Sequence, residues 1–106
     1  MASFFNDSLR QIPTTETTVV TSTSDSTIVL SILIANREGV SAADITCAHK
    51  DASDVIQNYL AFTIVVPADA NVDLIGNKYI LPSGEKLVLS ASTSGILDAA
   101  VSYVTV

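Results

Sequence analysis

Hydrophobic and polar residues alternate with a period of two along most of this chain. In IVLSILIA, the side chains of Ile28, Leu30, Ile32 and Ile34 fall on one side and those of Val29, Ser31 and Leu33 on the other. Leu60, Phe62, Ile64 and Val66 share a side, opposed by Tyr59, Ala61, Thr63 and Val65. Leu87, Leu89 and Ala91 alternate with Val88 and Ser90, and Val101 and Tyr103 with Ser102 and Val104. This is the spacing of half-buried strands. The runs are rich in Val, Ile and Thr, whose stiff branched side chains suit a pleated surface.

Turn residues separate the runs at 23–26, 36–39, 50–54, 67–70, 76–77, 82–84 and 93–95. Pro82 presets φ for a first central turn position, and Gly84 takes a left-handed one. Short strands punctuated every 8–12 residues or so predict an all-β, antiparallel β-sandwich of about seven to nine strands. We place eight of them at 17–22, 27–35, 43–50, 57–66, 71–75, 78–81, 86–92 and 97–106. A helical turn over Ser53 to Ala61 competes for one stretch, but it is short and laden with Asp and Asn.

The alternation begins only at Thr17. Residues 1–16 are therefore expected to form an N-terminal arm, and residues 17–106 a single sandwich domain. Within the arm, Phe4, Phe5, Leu9 and Ile12 are apolar in a polar context, and Phe5, Leu9 and Ile12 have the spacing of one helical face. Burying such a side chain is worth roughly 1.5–3 kcal/mol, so these four are the expected interface residues, packing on a neighbouring subunit or on a larger assembly. The rival is a first strand or helical turn that closes the sandwich's own open end.

Composition narrows the function classes. A chain of 106 residues is one domain by length, large enough to bury about two-thirds of its unfolded surface. With 48% hydrophobic and 15% charged residues it is too apolar for disorder. Its longest apolar run, Ile28 to Ala35, falls well short of the ~18 residues of a membrane helix. Net charge is −6 with a pI near 4.3, and the cations Arg10, Arg37, Lys50, Lys78 and Lys86 are never adjacent. Such a chain is repelled by phosphate backbones and by anionic membrane surfaces, so no nucleic acid and no membrane is expected as a partner. Cys47 is the only cysteine, so no internal disulfide is available. MASFFNDSLRQIP has no basic and apolar leader pattern, which implies folding in a cytoplasm.

Candidate chemistry is sparse. Asp69, Asn71 and Asp73 open like a calcium loop, but its sixth position, normally Gly, is Leu74 and its twelfth, normally Glu, is Ile80. A turn is the better reading. Cys47 and His49 share a strand face, yet no second Cys or His exists to complete a metal shell, and no orienting group or oxyanion donor is evident. We read Cys47 as a small buried apolar residue and His49 as a strand-end surface residue. Exchanging them for Ser and Ala is expected to leave assembly intact. The glycines are isolated from one another and no serine sits in a nucleophile elbow. No catalytic, cofactor or metal residue is assigned, and no enzyme is expected.

From about Thr14 to Val106 the order of pieces resembles a family of small virion structural proteins of tailed bacteriophages. The pieces are TTETTVVTSTS, then SILIAN, SAADITCAHKDAS, a strand from Tyr59-Leu60-Ala61 to Val66-Pro67-Ala68, a Leu-Ile pair at 74–75, ILPSGEKLVLSAS and GILDAAVSYVTV. The resemblance implies an immunoglobulin-like or jelly-roll-type sandwich used as a repeated accessory part of a particle assembled in the host cytoplasm. Its expected partners are copies of itself and other virion proteins: the major capsid protein or neck and tail proteins. A capsid decoration (cement) role heads the expectations, a neck or tail accessory role follows, and a carbohydrate- or cell-surface-binding module using Tyr59, Tyr79 and Tyr103 is the alternative from another class.

Overall fold

A computed structural model describes residues 3–23 and 25–106. Nine strands and no helix are found among them: β1 (Ser3–Leu9), β2 (Thr17–Thr21), β3 (Ser26–Asn36), β4 (Ala43–Lys50), β5 (Ile56–Val66), β6 (Asn71–Asp73), β7 (Tyr79–Pro82), β8 (Lys86–Ala91) and β9 (Leu97–Thr105). The all-β sandwich expected from the alternation is what the chain forms.

Two antiparallel sheets face each other. One has the order β1-β9-β3-β6, with β7 also paired to β3; the other has the order β2-β8-β4-β5. The pairing is nested: β1 with β9, β2 with β8, β3 with β6 and β7, and β4 with β5. A long two-stranded ribbon whose halves pair first with last, then folds over on itself, is the jelly roll. Of the two sandwich types anticipated, the strand order selects this one.

The core lies between the sheets, where Val29, Ile32 and Ile34 of β3, Ile45 and Cys47 of β4, Leu87 and Leu89 of β8, and Leu97 and Val101 of β9 are fully buried. Cross-strand partners project to the same side, so the register sorts the rest. Phe5, Tyr103, Val29 and Tyr79 form one row facing the core. Phe4, Val104, Ile28 and Ile80 form the adjacent row, facing outward. Val104 is buried without belonging to the core cluster.

Residues 3–9 form the first strand that the rival reading of the N-terminal segment allowed, although no strand span was placed before Thr17. Residues i and i+4 share a side in a strand as they do in a helix, so the spacing of Phe5 and Leu9 fits both. Here they lie on the inner side of β1, opposite Tyr103 and Ala99.

Candidate functional site

The four expected interface residues separate. Ile12 is fully buried in the core, its N–H donating to Leu97 O at 2.8 Å. Leu9 is half-buried against the core, and Phe5 stacks on Tyr103 with centroids 5.4 Å apart. Phe4 points outward and is 77% exposed.

Cys47 and His49 both point inward from β4 but serve different surroundings. Cys47 sits in the apolar core, where burial pushes its thiol up to about 12. The folded chain should therefore resist alkylation at pH 8, with thiolate about a thousand-fold scarcer than in a model thiol. An Ellman titration should read one thiol only after denaturation; rapid labelling of the native protein would contradict the packing. The sign for stability follows. The unfolded thiol ionises near 9.0 and the folded one near 12, so this contribution is complete below pH 9 and is lost as pH rises toward 12.

His49 is not at the surface, contrary to the sequence reading. It is buried and bonded through both ring nitrogens: Nε2–H donates to Glu85 Oε1 at 2.6 Å, and Nδ1 is 2.8 Å from the Tyr79 hydroxyl, which donates to Asn58 Oδ1 at 2.8 Å. The Tyr79 ring meets the imidazole edge-on. Local turn chemistry supplies Glu85. Its N–H donates to Pro82 O, with Ser83 and Gly84 as central residues and Gly84 at φ 84°, the positive value that a type II turn requires at its third position. Pro82 thus ends β7 rather than entering the turn's centre.

Glu85, His49, Tyr79 and Asn58 join β4, β5 and the β7–β8 turn of one side of the sandwich to β7 of the other sheet. Glu–His–Tyr is a chain of groups that can pass a proton, but no pocket opens beside it, and the tyrosyl proton is held by an amide. The arrangement is a polar clasp between the sheets. His49→Ala should lower unfolding free energy by about 1–3 kcal/mol, because Glu85 and Tyr79 lose a partner in a half-buried site. Urea denaturation checks this, and an unchanged midpoint would contradict the clasp.

The remaining candidates are dispersed. Asp69 lies in a turn at φ 60°, while the Asp73 carboxylate accepts from Ile32 N and Ile75 N and so is spent on backbone. Among the described residues no group of three or more His, Cys, Asp or Glu is placed to hold a metal. Tyr79 and Tyr103 lie in the inward row with their hydroxyls tied to Asn58 and Asp7, whereas Tyr59 is exposed on the other sheet. The three tyrosines share no face. Tyr59 instead meets Phe62 edge-on at 4.9 Å.

That contact belongs to a surface the alternation did not reveal. β5 is one of the two edges of its sheet, and its eleven residues, IQNYLAFTIVV, contain no charge. Three register shifts against β4 each give it an extra residue, and Thr63 takes φ 50°, a costly value for a β-branched residue. Bulges re-aim side chains. Ala61 and Val66 stay buried, while Phe62 at 61% and Val65 at 58% stand in water beside exposed Ile56, Tyr59 and Ile64. The signal available in the sequence was the absence of charge over eleven residues.

No protein-family model matches the chain, and no curated protein matches it by sequence. Its fold has solved counterparts. A chain of the acid-stable capsid of Helicobacter pylori bacteriophage KHP30 is 7% identical with a TM-score of 0.58, over 97% of this chain and 85% of that one. A chain of the cyanophage Pam1 capsid asymmetric unit is 17% identical with a TM-score of 0.50, over 99% and 85%. A Bacillus endospore appendage, from a family of disulfide-linked pili, is 8% identical with a TM-score of 0.53, over 99% and 89%. At such identities the likeness establishes a shared jelly-roll-type sandwich and nothing of the chemistry or partners.

Proposed function

We propose that this chain is a structural protein of a bacteriophage particle, a capsid decoration or cement protein bound in many copies. The observation that carries the reading is β5: an eleven-residue, uncharged edge strand that holds Phe62, Val65, Ile64, Tyr59 and Ile56 in water. Apolar patches of this kind on a small protein mark a contact site. The bulges that expose them also spoil the edge for strand pairing, so the contact is made by side chains pressed against a partner surface. The −6 charge keeps the chain from packaged nucleic acid and suits the outside of a shell. Two of the fold's solved counterparts come from phage capsids, which accords with the resemblance noted in the sequence.

The N-terminal segment is read as a second contact, with Phe4 and Phe5 meeting a neighbouring subunit and Leu9 and Ile12 anchoring the segment to its own sandwich. A neck or tail accessory position is the runner-up. Cryo-electron microscopy of particles that carry the chain separates the two. Sandwich-sized density repeated over the shell supports decoration; density confined to one vertex or the tail supports the runner-up; no such density defeats both.

A further inference from the structure

The N-terminal segment is held in two unlike ways, and the change falls at Gln11. Beyond it the chain is fixed deep in the sandwich. Ile12 is fully buried with its N–H and carbonyl bonded to Leu97 O and Gly95 N, and Pro13 O accepts from Ala91 N. Before it, β1 lies at the edge of its sheet and pairs with β9 alone. Its residues are exposed as far as half-buried Leu9. Its ring and side-chain hydrogen-bond contacts converge on Tyr103, which stacks on Phe5 and donates to Asp7 Oδ2 at 2.8 Å. A strand with so little buried surface opens more readily than the sandwich beneath it.

One cluster crosses that boundary. Gln11 takes φ 56°, a left-handed value that is costly for a residue with a side chain. Its N–H donates to Asp98 Oδ1 at 2.8 Å, Asp98 Oδ2 lies 2.8 Å from Arg37 Nε, and Arg37 Nη2 donates to Gly95 O at 2.7 Å. One carboxylate of β9 thereby ties the link after β1 to the residue after β3 and to the turn before β9. Burial raises the Asp98 carboxyl, yet the Gln11 N–H and the Arg37 guanidinium outweigh it and hold it below the usual carboxylate range, with Arg10 adding to them. The charged form is the one that holds Gln11.

We propose that Asp98 is a latch for β1: it fixes Gln11 in its strained turn, and when it lets go β1 peels from β9 as a unit without unfolding the sandwich. Opening bares the outer backbone of β9, a template for another strand, and carries Phe5 away from Tyr103. The inference concerns the isolated chain and does not rest on the particle reading.

Hydrogen exchange of the full chain, read by mass spectrometry, tests it. In the parent protein residues 3–9 should exchange faster than residues 86–91 of β8, at rates that low urea leaves unchanged, whereas β8 should follow global unfolding. Hydrogen bonds to a charged group are the stronger kind, so Asp98→Ala should speed exchange of residues 3–9 roughly ten-fold or more and leave β8 as it was. Asp98→Asn, which keeps the shape and loses the charge, should move β1 in the same direction. Exchange of β1 and β8 at one rate with one urea dependence overturns the proposal, because the strand would then open only with the whole. β1 exchange unmoved in either variant overturns it too. A variant that speeds both strands alike, or fails to fold, makes Asp98 a support of the sandwich and not a latch.

Discussion

Ile12→Ala is expected to lower the unfolding free energy by about 2–5 kcal/mol, the range for truncating a fully buried aliphatic side chain. Ile12 is wholly enclosed between the sheets, and its backbone is fixed at both polar groups, the N–H to Leu97 O and the carbonyl accepting from Gly95 N. The cavity left behind would lie against the start of β9, where collapse is hindered by the β3 ladder on the other side. Removing residues 2–9 alone is a different experiment. It deletes β1 but spares Ile12, so the truncated chain should still unfold cooperatively while losing its contact with a neighbour. Chemical denaturation of both variants checks the pair. Equal stability of Ile12→Ala and the parent chain would show that the segment before Thr17 is not part of the core.

The second large effect is on attachment and not on stability. Phe62→Lys combined with Val65→Lys should leave the melting transition nearly unmoved, because both side chains are more than half exposed and surface changes are usually worth within about 0.5 kcal/mol. Binding to the particle should fall by at least a hundred-fold. Each side chain contributes roughly 1.5–3 kcal/mol if the contact buries it, and a buried lysine adds a desolvation cost. Co-sedimentation with particles lacking the chain reads this directly. Retained binding would place the contact elsewhere, and joint loss of fold and binding would mean that β5 is needed for the sandwich itself.

Much of the fold was legible because burial imposes a period of two wherever a strand has one face on the core. The spans around β3, β4, β8 and β9 were read closely for that reason. Strand order was not legible, since β1·β9 and β2·β8 join residues from opposite ends of the chain and no local spacing encodes such pairing. For the segment of β1 the choice between a strand and a helical turn stayed open, because four-residue spacing is shared by both. The pattern of β5 misled because each bulge reverses the side on which later residues fall: Phe62 was assigned with Val66, and the structure buries Val66 while leaving Phe62 exposed. His49 looked like a strand end in water. Its burial depends on Tyr79 and Glu85, thirty and thirty-six residues away.

The contact reading unites these features. On the proposed reading, the jelly roll meets other molecules through two of its four sheet edges, β1 and β5. Quantitative mass spectrometry of purified phage particles tests this most directly. A decoration protein should be present at hundreds of copies per particle, in fixed ratio to the major capsid protein, as repetition of one contact over a symmetric shell requires; absence from the particles would contradict the structural role altogether.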